Sequence, residues 1–377
     1  MPSFIGSLLP LARRWAAFLL LLATLIPVFL YRSWIDAQTD AFVVLATTID
    51  TPVLNWIAKA ATESPRTEET QVAGQRATIV RPGSGERWPA IVFVNGATEQ
   101  GHLHPEVQRL ARGLARAHYV VVVPELPGLR RGEITLRTLS ALVAVARATA
   151  DGPDARAGRV GFVGVSVGAS LALAAAEDDA LAGRVSAIAG IAPYADLREV
   201  TRLATTGYSR TGRTLQGYDP DDFVLLAVAR SLGASLPDTR EAKRFVTRLA
   251  RIPNERDDPL KNIALPPGPL STLLANGDPL AFDRLWRRLP RSLRAGAERL
   301  SPISRAGRLT MPVELASSPR DDYFPVAESR SLARAAPHVR VTVTESLSHA
   351  LPEPSLHGLG AAFHFDGFVV RGLRALR

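Results

Sequence analysis

Gly164-Val165-Ser166-Val167-Gly168 is the segment of this chain best suited to covalent chemistry. It joins a β-branched run at residues 159–165 to a run of small and apolar residues at 167–176, so Ser166 is expected at a sharp strand-to-helix turn. The flanking glycines relieve crowding in such a turn. A helix starting behind the serine aims backbone N–H groups and its positive end at negative charge developing there. A serine hydroxyl is a weak nucleophile until a base takes its proton during attack. Imidazole titrates near neutrality, and His349 follows the last strand-like run, where it could supply that base. The chain has no cysteine, which excludes a disulfide scaffold, a thiolate zinc site and a cysteine nucleophile.

The other six histidines read differently. His102 and His104 form an H-x-H pair with no carboxylate at a metal-like spacing, so a solvated loop or pocket rim is expected for them. His118, His338, His357 and His364 are expected on the surface or on helices. No metal or organic cofactor is called for.

Holding a serine on such a turn needs a sheet. Strand-like runs at residues 74–82, 89–96, 119–123, 159–165 and 185–191 alternate with helical spacing at 105–118, 133–150 and 167–176. Two more strand-like runs, 312–316 and 339–344, come near the end. This order predicts an α/β fold, a mostly parallel sheet with helices on both faces. Residues 197–308 interrupt the rhythm with helical patterns such as 223–231 and 241–251, and read as a helical cap inserted between two strands. The division expected is 1–38 as an N-terminal segment, 39–69 as a linker or helix, and 70–377 as the main domain.

On these motifs the chain resembles the α/β-hydrolase superfamily, in its serine esterase, lipase-like and dienelactone-hydrolase-related branches. The resemblance spans about residues 70–377 outside the insertion. It is carried by Val92-Phe93-Val94-Asn95-Gly96, VVVPELPG at 121–128, GVSVG at 164–168, PRDDYFP at 319–325, and Ser348-His349-Ala350. It implies the α/β-hydrolase fold and the chain order Ser, Asp, His for a triad. The acid is then Asp321, in D-x-x-x-P after the strand beginning at Pro312, with Asp322 as the runner-up and Asp196 as a position used in some relatives. The implied oxyanion donors are the backbone N–H groups of Val167 and Ala97. Many relatives read His-Gly where this chain reads Asn95-Gly96, a change of side chain that leaves a backbone donor in place. Ala169 stands where dienelactone-hydrolase and prolyl-oligopeptidase relatives usually have a second glycine. Ser166 itself disfavours the dehalogenase and epoxide-hydrolase chemistries, which use aspartate there.

The N-terminus carries a separate signal. Residues 15–31 contain no charged side chain, lie between Arg13-Arg14 and Arg32, and have Trp15 and Tyr31 at their ends. That length and pattern fit a transmembrane helix, with the basic flank inside and the following domain outside the cytoplasm. A signal peptide cleaved near Ala37, giving a secreted protein, is the alternative. The net charge of +9 arises from 45 basic residues of which only Lys59, Lys243 and Lys261 are lysines, and the arginines are scattered. No nucleic-acid partner is expected from such a distribution.

The sequence therefore predicts a membrane-anchored serine hydrolase acting on small-molecule acyl esters or thioesters through an acyl-enzyme. An amide or peptide hydrolase on the same fold is one alternative. A catalytically silent protein that binds a ligand or partner is the other.

Overall fold

Val120 to Val123 are four valines in a row, and all are buried, as a strand covered on both faces requires. The computed structural model describes residues 34–48, 52–212, 214–261, 263–349, 351–352 and 359–377. The chain begins with helices α1 (34–48) and α2 (Pro52–Ala61), followed by strands β1 (Arg66–Val72), β2 (Gln75–Arg81) and β3 (Trp88–Val94). Next come α3 (Pro105–Arg116), β4 (Val120–Pro124), α4 (Leu136–Asp151), β5 (Ala155–Val165), α5 (Val167–Ala176) and β6 (Val185–Ile191). The sheet order is β1-β2-β4-β3-β5-β6, continued by β9 (Val313–Ser317) and β10 (Val339–Val343). Pairing is antiparallel for β1 with β2 and β2 with β4, and parallel from β4 onward. The predicted α/β architecture is therefore present, extended at one edge by a hairpin.

Between β6 and β9 the chain leaves the sheet. It forms α6 (Leu197–Thr206), the hairpin β7 (Tyr208–Thr211) and β8 (Thr214–Gly217), α7 (Asp222–Ala234) and α8 (Arg240–Leu249). Helices α9 (Pro269–Leu274), α10 (Phe282–Arg288) and α11 (Arg291–Arg299) follow. Phe245, Leu273 and Phe282 are buried in the same apolar cluster as the sheet residues Phe162 and Leu315. The inserted segment is thus fused to the main core. After β9 come α12 (Val326–Ala335) and β10, then the short pair β11 (Leu347–Ser348) and β12 (Leu351–Pro352), and finally α13 (Leu359–Leu376).

The sheet has two differently covered faces. Helices α4 and α5 cover one, where Val160, Phe162, Ile188, Leu171 and Leu173 are all sealed from solvent. Helices α1, α3 and α13 cover the other. There α1 is pinned to α13 by Arg377, which donates to Asp40 from Nε at 2.9 Å and from Nη2 at 2.5 Å. The hydroxyl of Tyr119, just before β4, donates to the carbonyl of Leu373 at 2.9 Å. Burial pushes the Asp40 carboxyl above the usual carboxylate range, against the opposing pull of Arg377.

Residues 15–31, expected to cross a membrane, lie outside the described residues. Among the described residues no helix is long and apolar enough to do so.

Candidate active site

Ser166 sits between β5 and α5 with φ 54° and ψ −130°, a conformation that side-chain-bearing residues rarely adopt. Its surroundings enforce it. The Ser166 N–H donates to the Ile191 carbonyl at 2.8 Å, tying the turn to β6. A Cβ at Gly164 would lie 2.5 Å from Cα of Ala169, and one at Gly168 would lie 2.2 Å from the carbonyl oxygen of Val94. Both positions therefore need glycine because backbone segments pass too close for any side chain. Ala169 fits where a second glycine is common in relatives, and its own Cβ fills the space beside Gly190.

The loop after β9 brings in a carboxylate. Asp321 is buried, and its Oδ1 accepts the backbone N–H groups of Tyr323 and Phe324, each at 2.8 Å. Its carbonyl accepts a hydrogen bond from the Tyr218 hydroxyl, so the inserted segment also helps hold this loop. His349 lies in the β11–β12 turn at φ 47°. Its Nδ1 is 2.9 Å from both carboxylate oxygens of Asp321, and its Nε2 is 2.9 Å from Oγ of Ser166. With Nδ1 protonated and donating to Asp321, Nε2 is left as the acceptor for the serine hydroxyl. Serine, imidazole and carboxylate thus form one hydrogen-bonded line.

The two other carboxylates weighed from sequence stand apart from that line. Asp322 is exposed, and its carbonyl accepts the N–H of Asp221 at 2.7 Å. Asp196 caps α6: its Oδ1 accepts the Arg198 N–H at 2.9 Å and the Ser301 hydroxyl at 3.3 Å. Burial raises its affinity for a proton.

Val167 opens α5, so its N–H has no acceptor within the helix and points with the helix's positive end toward the site. Ala97 lines the same cavity as Ser166 and His349. Asn95 is buried, and its Nδ2 donates to the Gly96 carbonyl at 2.7 Å, which stiffens the loop that presents Ala97. The cavity measures about 1170 Å³, and helices α6 and α7 contribute Leu197, Val224 and Val228 to its walls.

Sequence reasoning missed the aromatic clamp on the histidine. The Tyr323 ring lies 4.2 Å from the His349 ring at a tilt of 33°, and Phe324 meets it edge-on at 6.1 Å. Both residues stand in the PRDDYFP stretch, but no spacing rule announces ring contacts made across 25 intervening positions for Tyr323 and 24 for Phe324.

His102 departs from its expected place on a solvated loop or pocket rim. It is buried, with Nδ1 paired to Glu125 and Nε2 3.4 Å from Glu69, because Gln108 and the edge hairpin close over it. His104 does line the cavity, and its Nδ1 accepts the Glu106 N–H at the start of α3. Among the described residues no group of three or more His, Asp or Glu side chains is arranged to hold a metal ion.

Comparison with known proteins completes this description. The family described as "Alpha/beta hydrolase family" matches residues 91–359, well over half of the chain. The chain belongs to the alpha/beta hydrolase family. This membership supports a hydrolase. Among solved structures, similarity extends to a mutant of the esterase rPPE, at 15% identity over 88% of each chain with a TM-score of 0.47. It extends also to Est1E from Butyrivibrio proteoclasticus, at 11% identity over 83% of this chain and 99% of that one, again with a TM-score of 0.47. The acylaminoacyl peptidase of Pyrococcus horikoshii is similar at 15% identity over 84% of this chain, with a TM-score of 0.47, and this chain spans 42% of that peptidase's length. No curated protein sequence matches.

Proposed function

We propose that this alpha/beta hydrolase cleaves carboxylic ester or thioester bonds with Ser166 as nucleophile. The observation that carries the reading is the hydrogen-bonded line from Ser166 through His349 to Asp321, set on a strained turn. His349 takes the Ser166 proton at Nε2 as Oγ bonds to the acyl carbon. The carbonyl oxygen becomes an oxyanion, accepting from the N–H groups of Val167 and Ala97. As the tetrahedral intermediate collapses, His349 returns the proton to the departing alcohol or thiol. Water then attacks the acyl-enzyme with its proton passing to Nε2, and Ser166 regains a proton as the carboxylic acid leaves. Throughout, Asp321 holds the ring by its Nδ1–H and stabilises the imidazolium.

The test is hydrolysis of short p-nitrophenyl esters. Ser166→Ala and His349→Ala should each lower kcat by about 10⁴–10⁶-fold while thermal unfolding stays unchanged. Retained activity in purified Ser166→Ala would overturn the assignment. An amide hydrolase would use the same groups, so anilide and peptide substrates tested beside the esters separate the two readings. Absence of all hydrolysis by a folded wild type would favour a silent binding protein.

The reading includes a place. Residues 15–31 anchor the protein, with the hydrolase domain outside the cytoplasm. Its support is the uncharged run itself and the apolar surface just after it: Trp34, Phe42, Val53 and Trp56 are exposed, the last at 71%. Resistance of the membrane-bound protein to alkaline extraction is the expected result. Release as a soluble chain beginning near Ala37 would mean a cleaved signal peptide.

A further inference from the structure

The cavity at Ser166 does not end in the space under the inserted helices. It continues along the opposite face of the sheet, beneath α1 and α13. Central strands of a doubly covered parallel sheet normally bury their side chains on both faces. On the α5 side they do. Toward α13, however, Val163, Val165, Ala189 and Ile191 are only partly buried and line the cavity, facing Leu45 of α1 and Val369 of α13. Helix α13 packs directly on Ala189 through Gly372, but beside that contact the helices leave part of the space over the sheet unfilled.

That unfilled space has a definite chemistry. These six side chains carry no donor, acceptor or charge, and Thr48, one turn beyond Leu45 on α1, adds a single hydroxyl to the lining. Most polar atoms entering among them would therefore lose their hydrogen bonds to water without replacement. The covering elements are fixed relative to one another, since Arg377 ties α1 to α13 through Asp40, and Tyr119 ties α13 to the sheet. At the strand rise, Val163 stands roughly 10 Å from Ser166, beyond a two- to four-carbon acyl group but within reach of one of about ten carbons or more.

We propose that this limb seats the hydrocarbon tail of a long, unbranched fatty-acyl ester or thioester whose carbonyl lies at Ser166. The proposal rests on the hydrolase reading above and assigns its substrate class. It also places the chain-length determinant on α1 and α13, separate from the inserted helices.

Leu45→Trp and Val369→Trp narrow the limb from opposite walls and touch none of Ser166, His349, Asp321, Val167 or Ala97. In each, kcat/KM for p-nitrophenyl palmitate should fall at least tenfold relative to the acetate ester, with acetate hydrolysis within about twofold of wild type. In the Ser166→Ala background, where turnover is removed, displacement of cis-parinarate by palmitate should weaken at least tenfold on adding either tryptophan. Thermal melts identify which variants fold, and either one alone suffices. An unchanged palmitate-to-acetate ratio in a folded variant overturns the limb while leaving the hydrolase reading intact. Tight palmitate binding that both tryptophans abolish, in a wild type that hydrolyses no ester, supports the limb and overturns the hydrolase reading.

Discussion

The two faces of the central sheet are built to different standards. Under α4 and α5 the packing is complete: every residue of α5 from Val167 to Ala176 is buried, and Leu171, Leu173, Val160 and Phe162 are fully enclosed. Under α1 and α13 the same strands line a cavity. The difference follows from what each face must do. Ser166 keeps an unfavourable backbone conformation only because dense packing on one side leaves it no alternative. The other side leaves room. On the reading proposed above, rigidity is concentrated where charge would develop, and space where an acyl tail would be received.

Perturbing the rigid line should give the largest effects. Asp321→Asn keeps the volume of the side chain but lets the ring adopt the wrong tautomer, so kcat should drop by roughly 10⁴-fold. Asp322→Asn, on the exposed neighbour, should stay within a few-fold of wild type. Ester hydrolysis by the two variants in parallel checks this, and the reverse order would move the acid to Asp322.

Stability should separate the faces next. Leu173→Ala removes a fully buried side chain from the packed side, and about 2–5 kcal/mol of unfolding free energy should go with it. Val163→Ala on the cavity side removes a partly buried one and should cost about 1 kcal/mol or less. Urea unfolding of the two variants measures both, and equal losses would mean that the cavity face is as tightly packed as its counterpart.

A further effect concerns pH. Glu177 closes α5 on the packed side, and burial pushes its carboxyl up to about 8 despite the nearby Arg299, Arg305 and Arg308. The folded protein therefore keeps a proton that the unfolded chain releases in the ordinary carboxylate range. Stability should decline as pH rises from that range to about 8. Glu177→Gln should flatten the decline, which Tm measured between about pH 5 and 8 would register. An identical slope in both proteins would show that Glu177 is ionised in the fold.

How much of this was legible in the sequence depended on whether the cause was local. The strands β3 to β6 announce themselves as apolar runs, and the Ser166 turn by its glycines, because those residues answer to their immediate neighbours. Strand β1 has only Val72 as an apolar residue and is largely exposed, so its pairing with β2 leaves no pattern to detect. Helix α13 contains Gly367 and Gly372, poor helix formers. Its place depends on close approach, since a Cβ at Gly372 would come within 3.2 Å of Ala189. Asp321 was separable from Asp322 only through resemblance. The structural difference lies in the backbone amides of Tyr323 and Phe324, which fold back onto one carboxylate and leave the other in water. The cavity was invisible for a further reason: an apolar strand residue reads the same whether a helix packs on it or stands off.

The central claim is that Ser166 is a nucleophile activated by His349. Reaction with a fluorophosphonate, followed by peptide mapping, tests it without knowledge of the natural substrate. The account predicts one phosphonyl group per chain, on Ser166, absent in Ser166→Ala and formed far more slowly in His349→Ala. A folded protein that takes up no label, or takes it up at another residue, would contradict it.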